Sequence, residues 1–382
     1  MAEENSLVQN INLLKNLPKG WKVLPFSRII KDVSGGNIKT KKGDFLENGK
    51  FKVVDQGKDL FAGFVSDEKL LVKSNSPYIV FGDHTRVIKY IDFPFAMGAD
   101  GTKILKIKSD INSFEKYVYY FFQTLNIPNT GYNRHFKYLK DCQIPLPKLE
   151  TQKKIAAILD EADKIRQLNK ELIAKYDALT QSLFLDMFGK LDKNVIELGE
   201  VIKLIGGGTP SKDKEEYWDG NIPWASVKDL KSDSLAKTVD KVTIEGVNNS
   251  STKIIPKGSL IVATRMAVGR ATICEMDVAI NQDLKAIKII ENVNVVYLQS
   301  LFKSKEKYFD SVSSGATVKG IKIEHITRLK IPIPPIELQN QFAERVQIIE
   351  KQKQQAQESL QKSEDLFNSL LQKAFKGELV KE

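Results

Sequence analysis

Cysteine and histidine are scarce: two and three residues, respectively, in a chain of 382. Cys142 and Cys274 stand in dissimilar stretches with no CxxC or Cys/His cluster. That excludes a disulfide framework or a zinc site as the organising feature and predicts two buried, inert thiols. His84, His135 and His325 lie far apart and fit neither an HExxH pattern nor a catalytic triad signature. No apolar run approaches the roughly 18 residues that span a bilayer. The opening MAEENSLVQN has neither the basic nor the apolar region of a secretory signal. The expectation is a cytoplasmic chain with no membrane partner. Gly206–Gly208 is not followed by GK[ST], so a tight loop shaping the surface is a better reading than a phosphate cradle.

What is present is length enough for two cores, since domains cluster near roughly 100 to 150 residues. Apolar residues make up 42% and charged residues 28%, the profile of a folded globular protein. The net charge is +10, which favours an anionic partner such as nucleic acid. Its distribution is uneven. From Thr151 to Phe188, six Lys/Arg stand against six Asp/Glu, and from Glu337 to Glu382 seven stand against eight. The excess of cations therefore lies outside these two stretches, as a phosphate-binding surface requires.

The chain repeats itself. At an offset of 187, Ile144-Pro145-Leu146-Pro147 matches Ile331-Pro332-Ile333-Pro334. Identities continue at Glu150/Glu337, Gln152/Gln339, Ala156/Ala343, Lys164/Lys351, Gln167/Gln354, Lys175/Lys362, Leu179/Leu366, Ser182/Ser369, Leu183/Leu370 and Phe188/Phe375. Average residue usage gives roughly three by chance over such a span. Residues 25–36 also lie over 197–208, and 79–107 over 261–289 without a gap. The shared positions are mostly the alternating apolar ones that set strand register. The unshared positions are mostly turns and polar faces, so one binding mode applied to two different targets is expected.

Each globular part reads as α+β. Strands are expected at Tyr78 to Phe81, Thr85 to Ile91 and Lys103 to Ile107, and again at Leu260 to Thr264, Arg270 to Ile273 and Lys285 to Ile289. Helices are expected at Glu115 to Leu125 and Val295 to Phe309. Behind each IPxP motif a longer helix follows. In the first, Ile155, Ile158, Ala162, Ile165, Asn169, Leu172, Tyr176, Leu179 and Leu183 recur at 3–4 spacing, a coiled-coil seam in which Asn169 is a candidate register-setting polar position. The second carries a looser seam through Phe342, Ile349, Ala356, Leu366, Leu370 and Ala374. A tandem duplication most easily pairs with itself about a pseudo-two-fold axis, so the two helices are expected to pack antiparallel. A helix of about 38 residues is roughly 57 Å long. It is long enough to space two heads on successive major-groove segments about 34 Å apart.

This order of basic domain, IPxPxxEQ-type helix, basic domain and second such helix resembles the specificity subunit of type I restriction-modification systems. The resemblance covers nearly the whole chain. Its strongest local strings are residues 206–230, 263–273, 279–284 and 313–342, and in the first half 81–101 and 134–165. It implies a first target-recognition domain at 1–148, a spacer helix at 149–190, a second recognition domain at 191–335 and a second spacer at 336–382. Each recognition domain would read one half of a bipartite site in double-stranded DNA. The helices would dock two modification (methyltransferase) subunits, with one or more restriction subunits joining them. No cofactor is expected in this chain, whereas S-adenosylmethionine is expected in the methyltransferase partners. The apolar piece Leu7 to Leu17 is expected to pack beside the far end of the second helix.

DNA reading needs cations for phosphates and Arg, Lys, Asn or Gln for base edges. The candidates in the first domain are Lys39, Lys41, Lys42, Arg86, Asn133, Arg134 and Lys137. In the second they are Lys212, Lys228, Arg265, Arg270, Lys319 and Lys322. Taken singly, each is more often a solvated surface charge. As sets they gain weight, because Arg86 and Arg265 fall in equivalent hairpin connections and Arg134, Lys137, Lys319 and Lys322 precede the two IPxP junctions. Two rivals remain. One is a DNA-acting enzyme, for which Asn221-Ile222-Pro223-Trp224 departs from the Asn-Pro-Pro-aromatic signature of adenine methyltransferases and no glycine-rich cofactor loop accompanies it. Asp229-Leu230-Lys231 and Asp283-Leu284-Lys285 are nuclease-like endings too short to be specific. The other rival is a coiled-coil scaffold that binds only proteins.

Overall fold

The run TKILKI makes Thr102–Ile107 a strand with Thr102, Ile104, Leu105 and Ile107 buried, so that adjacent apolar residues cover both of its faces, and the same pattern recurs at Leu284–Ile289 with Ala286 and Ile287. The computed structural model of the chain describes residues 14, 16–73, 77–131, 133–191, 195–315 and 317–380. They divide into two units, one of residues 1–170 with 358–382, the other of residues 171–357. The packing expected for Leu7 to Leu17 lies outside the described residues, save Leu14, Asn16 and Leu17.

In the first unit an antiparallel sheet runs in the order Ile30–Asp32, Thr102–Ile107, Tyr78–Gly82, Ile88–Ile91. In the second the order is Ile202–Gly206, Leu284–Ile289, Leu260–Ala263, Ala271–Cys274, with Ser234–Leu235 added parallel at the edge. The frame is duplicated strand for strand. The second layer is not. In one unit Phe95–Gly98 pairs in parallel with both Lys39–Thr40 and Phe51–Val54, and in the other Val278–Ile280 pairs in parallel with Trp218–Ala225 and antiparallel with Ile254–Ile255.

Identical side chains lock each frame to its IPxP junction. Tyr117 donates its hydroxyl to the carbonyl of Pro145 at 2.6 Å, and Tyr297 does so to Pro332 at 2.7 Å. Gln152 and Gln339 are both fully buried. The amide of Gln152 accepts from Phe114 N at 2.9 Å and donates to Pro147 O at 2.9 Å. That of Gln339 accepts from Asn294 N and donates to Pro334 O, both at 2.8 Å. A buried amide group left unpaired is costly, so these glutamines tie the start of each long helix to the start of the domain helix Glu115–Gln123 or Val295–Ser304.

Two expected elements end elsewhere. Residues 83–87 form the hairpin turn, with Arg86 at φ 63°, so the strand expected from Thr85 begins at Ile88. The helix expected to run to Phe309 breaks at Lys305 and resumes as Glu306–Val312. The break lets Phe309 stack on Phe302 at 5.5 Å, whereas residues seven apart on a straight helix are about 10.5 Å apart along the axis.

The long helices span Leu149–Phe188 and Ile336–Lys376. The second ends in a Schellman cap: Gly377 takes φ 77°, its N–H bonds Ala374 O at 3.2 Å, and Glu378 N bonds Lys373 O at 2.9 Å. Within each unit the helix segments run antiparallel. In the first unit Arg166 covers the ring of Phe367 at 4.2 Å, Asn169 donates to Ser363 at 3.3 Å and Lys170 pairs with Glu364 at 3.4 Å. In the second, Asp177 pairs with Lys353 at 2.6 Å and Phe184 meets Phe342 at 5.7 Å.

The seam runs one residue away from the expected one at several turns. Ile155, Ala162, Phe342, Ala356 and Ala374 are buried, and Asn169, Tyr176, Leu183, Ile349 and Leu370 are half-buried. Ile158, Ile165, Leu172, Leu179 and Leu366 instead lie exposed, while Leu159, Thr180 and Phe367 are buried and Arg166 and Ile173 half-buried. Adjacent residues on a helix differ by about 100° in direction, and apolar periodicity accepts either of two neighbouring stripes. Packing against the globular core decides. Ile155, Leu159, Ala162, Phe367, Leu371 and Phe375 share one cluster with Tyr117, Tyr120 and Phe121. Phe184, Phe188, Phe342 and Val346 share another with Tyr297 and Leu301.

Candidate nucleic-acid interface

In the first unit the hairpin closes through Arg86 N to Gly82 O at 2.7 Å and Gly82 N to Val87 O at 2.8 Å. Buried Asp83 pins its neighbours: its carboxylate accepts from Phe136 N at 2.8 Å and its carbonyl accepts from His135 N at 2.8 Å and His135 Nδ1 at 2.9 Å. Because a carbonyl only accepts, Nδ1 carries the proton, and Nε2 faces Thr130 at 3.4 Å. His135 is therefore a brace between two loops. Beside it, His84 N donates to Gln56 Oε1 at 3.1 Å and His84 Nδ1 meets Asn133 O at 3.2 Å. Gly101, at φ 72°, leaves no room for a Cβ between Gln56 and His84.

The structure brings part of the first candidate set together here. Arg86 donates to Ile127 O at 3.0 Å and Asn133 donates to Thr130 O, so both side chains shape the loops they sit on. Arg134 and Lys137 are exposed next to them, with Lys137 over the Tyr138 ring at 4.7 Å. Lys39, Lys41 and Lys42 are exposed on the edge whose Thr40 O accepts from Ala99 N at 2.8 Å, while Gly101 O accepts from Asp83 N at 2.7 Å. That edge and the hairpin thus share the turn at Ala99–Gly101.

The second unit builds its tip from the corresponding hairpin. Thr264 N and Oγ1 both donate to Asp283 O, at 2.8 and 2.9 Å, and Arg265 reaches the Asp283 carboxylate at 3.4 Å. Met266 N donates to Lys319 O at 2.9 Å and Ile321 N to Thr264 O at 2.9 Å. Arg265, Arg270, Lys319 and Lys322 are exposed around this hairpin. Arg270 also donates to Leu230 O at 2.8 Å, which places it beside the turn carrying Lys228. Lys228 pairs with Asp240 at 2.6 Å, and that hydrogen bond holds its ammonium above the usual lysine range. Exposed Lys212 lies in the loop whose Gly208 N bonds Ile280 O at 2.9 Å. A Cβ on Gly207 would strike the carbonyls of Ile280 and Asn281, so the glycine run is a close backbone approach.

The motifs with enzymatic overtones are occupied structurally. Trp224 is buried and donates its indole N–H to Gly208 O at 3.1 Å. Asp229 accepts from Ser226 N and Val239 N, each at 2.9 Å, one on each carboxylate oxygen. Asp283 faces Arg265 and Asn281. Among the described residues, Asp177, Asp233 and Glu350 form one acidic group, but the Lys353 ammonium stands among them at 2.6, 3.8 and 3.7 Å. Both cysteines are buried free thiols, and burial pushes each up to about 12. No helix of the described residues is long and apolar enough to cross a membrane.

Sequence reasoning missed Gln56, His84 and Met266, all at the two tips. The gap-free match of 79–107 over 261–289 sets His84 over Met266, but the strand pairing leaves four residues, 83–86, in one turn and six, 264–269, in the other, so the two share a tip and not a position.

Known proteins share this organisation. A family profile described as the type I restriction modification DNA specificity domain matches residues 18–176 and again 190–362. The EcoR124I/EcoR124II type I restriction enzyme specificity subunit of Escherichia coli is 29% identical over 352 residues, covering 87% of each chain. The MjaIX specificity subunit of Methanocaldococcus jannaschii is 32% identical over 156 residues, 40% of this chain and 35% of that protein. Among solved structures, the type I restriction-modification S subunit from M. genitalium superposes with a TM-score of 0.53 at 16% identity, over 94% of this chain and 96% of that one. A chain from a structural study of type I restriction-modification complex assembly and conformational transition gives 0.54 at 16%, over 95% and 99%.

Proposed function

The chain belongs to the family of type I restriction-modification DNA specificity proteins, and from that premise we propose that it reads a bipartite, gapped site in double-stranded DNA, one half-site per globular head. The observation that carries this reading is a frame duplicated down to individual hydrogen bonds, bearing unlike cationic loops on equivalent hairpins. A common mount with different tips suits one docking mode applied to two sequences. The functional modules are recognition heads at 1–148 and 191–335 and spacer helices at 149–190 and 336–382.

The chain itself performs no bond chemistry. Methylation belongs to two modification subunits, which carry S-adenosylmethionine and flip an adenine out of each half-site, and cleavage belongs to the restriction subunits. The docking face for the modification subunits includes Ile158, Ile165, Leu172 and Leu179, an exposed apolar row at seven-residue spacing on the first long helix. Helix length sets the gap and the heads set the bases. The rival scaffold reading predicts no affinity for duplex DNA.

The test is mapping of N6-methyladenine in the host genome with and without the gene. Loss of methylation at one asymmetric gapped motif on both strands is expected. An unchanged methylome, with the partner genes expressed, overturns the reading.

A further inference from the structure

Met266 occupies the connection between Leu260–Ala263 and Ala271–Cys274 with φ 64°, a left-handed conformation rare for a residue with a Cβ. Five main-chain bonds hold the loop that way. Met266 N bonds Lys319 O and Gly269 N bonds Ala263 O, both at 2.9 Å. Ala267 N bonds Arg265 O at 2.8 Å, Arg270 N bonds Ala267 O at 3.0 Å and Ile321 N bonds Thr264 O at 2.9 Å. Strain that the surroundings over-determine in this way marks a functional position more often than an accident. Its effect is to present an apolar side chain, 65% exposed, from a rigid tip. Arg265, Arg270 and Lys319 are exposed beside it, Arg265 paired with Asp283 at 3.4 Å and Lys319 with Asp310 at 3.5 Å, and the remaining excess of cations suits a polyanion.

A thioether cannot tell base pairs apart by strong hydrogen bonds, because it is only a weak acceptor. It can discriminate by apolar contact, and the apolar group on the major-groove edge of a base pair is the C5-methyl of thymine. A two-stranded hairpin is a shape that this groove admits. On these grounds we infer that Met266 is a specificity-determining residue, seated against the C5-methyl of a thymine in the half-site read by the second head. The equivalent hairpin of the first head closes over four residues, 83–86, against six, 264–269, here, and its turn carries the His84 imidazole with two ring nitrogens where this one presents an apolar side chain. Equivalent hairpins thus carry turns of unlike length and chemistry in the two heads, as two unlike half-sites require. The inference rests on the DNA-reading function proposed above.

The experiment uses the full chain with the subunits that copurify with it, and duplexes bearing its mapped site. Each thymine of either strand is replaced in turn by deoxyuridine, which lacks only the C5-methyl. With the native chain, one replacement in one half-site is expected to weaken binding about fourfold, the equivalent of one buried methyl group. Met266→Gly, which the left-handed backbone accommodates, and Met266→Ala should bind the thymine and deoxyuridine duplexes equally. Replacements in the other half-site should act alike on native and variant chains, which also verifies that the variants fold. If no thymine shows this coupling, or the second half-site contains none, the inference is overturned while site-specific binding stands. If the native chain binds its site no better than a scrambled duplex, the DNA-reading function itself fails and takes the inference with it.

Discussion

The side-chain amide of Gln152 accepts the backbone N–H of Phe114 at 2.9 Å, and the same group donates to Pro147 O. Gln339 repeats the arrangement at Asn294 and Pro334. Gln152→Ala and Gln339→Ala each leave a buried N–H and a carbonyl unpaired, and each is expected to cost about 1–3 kcal/mol in chemical denaturation. Additive effects in the double variant are expected, because the two sites share no partner.

The helix seam makes a sharper comparison. Phe367 is 1% exposed and Leu366 is 50% exposed. Phe367→Ala should cost about 3–5 kcal/mol, and Leu366→Ala should stay within about 0.5 kcal/mol. Thermal unfolding of the two variants side by side decides it, and equal losses would restore the seam expected from the sequence.

Ile158→Ser and Leu172→Ser lie on the exposed apolar row, so the isolated chain should keep its stability to within about 0.5 kcal/mol. Copurification of the modification subunits should fall. Undiminished assembly in the double variant would remove this row from the docking face.

At the tips, Arg134→Ala and Lys319→Ala should weaken binding to specific and non-specific duplexes alike. Each should lower the slope of log K against log salt by about 0.9, the value for one lost phosphate contact. Arg86→Ala should differ, because its guanidinium also holds Ile127 O and its loss loosens the loop. A variant at Arg134 or Lys319 with an unchanged salt slope would show that its cation meets no phosphate; Lys319 already pairs with Asp310 at 3.5 Å.

The thiols give a pH test. Burial raises Cys142 and Cys274 to about 12, above their ordinary value of 9.0. Folding therefore favours the protonated form, and stability contributed by these groups is complete below about 9 and declines as the pH rises and thiolates form in the unfolded chain. At pH 8 iodoacetamide should label neither cysteine in the native protein and both in denaturant. Rapid native labelling would contradict their burial.

Sequence alone determined the duplication, the α+β class, the two long helices and the cationic character of the heads. Those properties are written in local periodicity, composition and repetition, which need no partner to be read. Tertiary structure decided what periodicity leaves degenerate. Leu159 rather than Ile158, and Phe367 rather than Leu366, enters the seam because the globular cores press on one of two adjacent stripes. The break at Lys305 follows from Phe309 returning onto Phe302. The tips are the least legible part. Gln56, His84 and Asn133 in one head, and Thr264, Met266 and Lys319 in the other, are joined by bonds between residues distant in the chain. No local pattern records which loops will meet, and only the folded sheets bring them to one place.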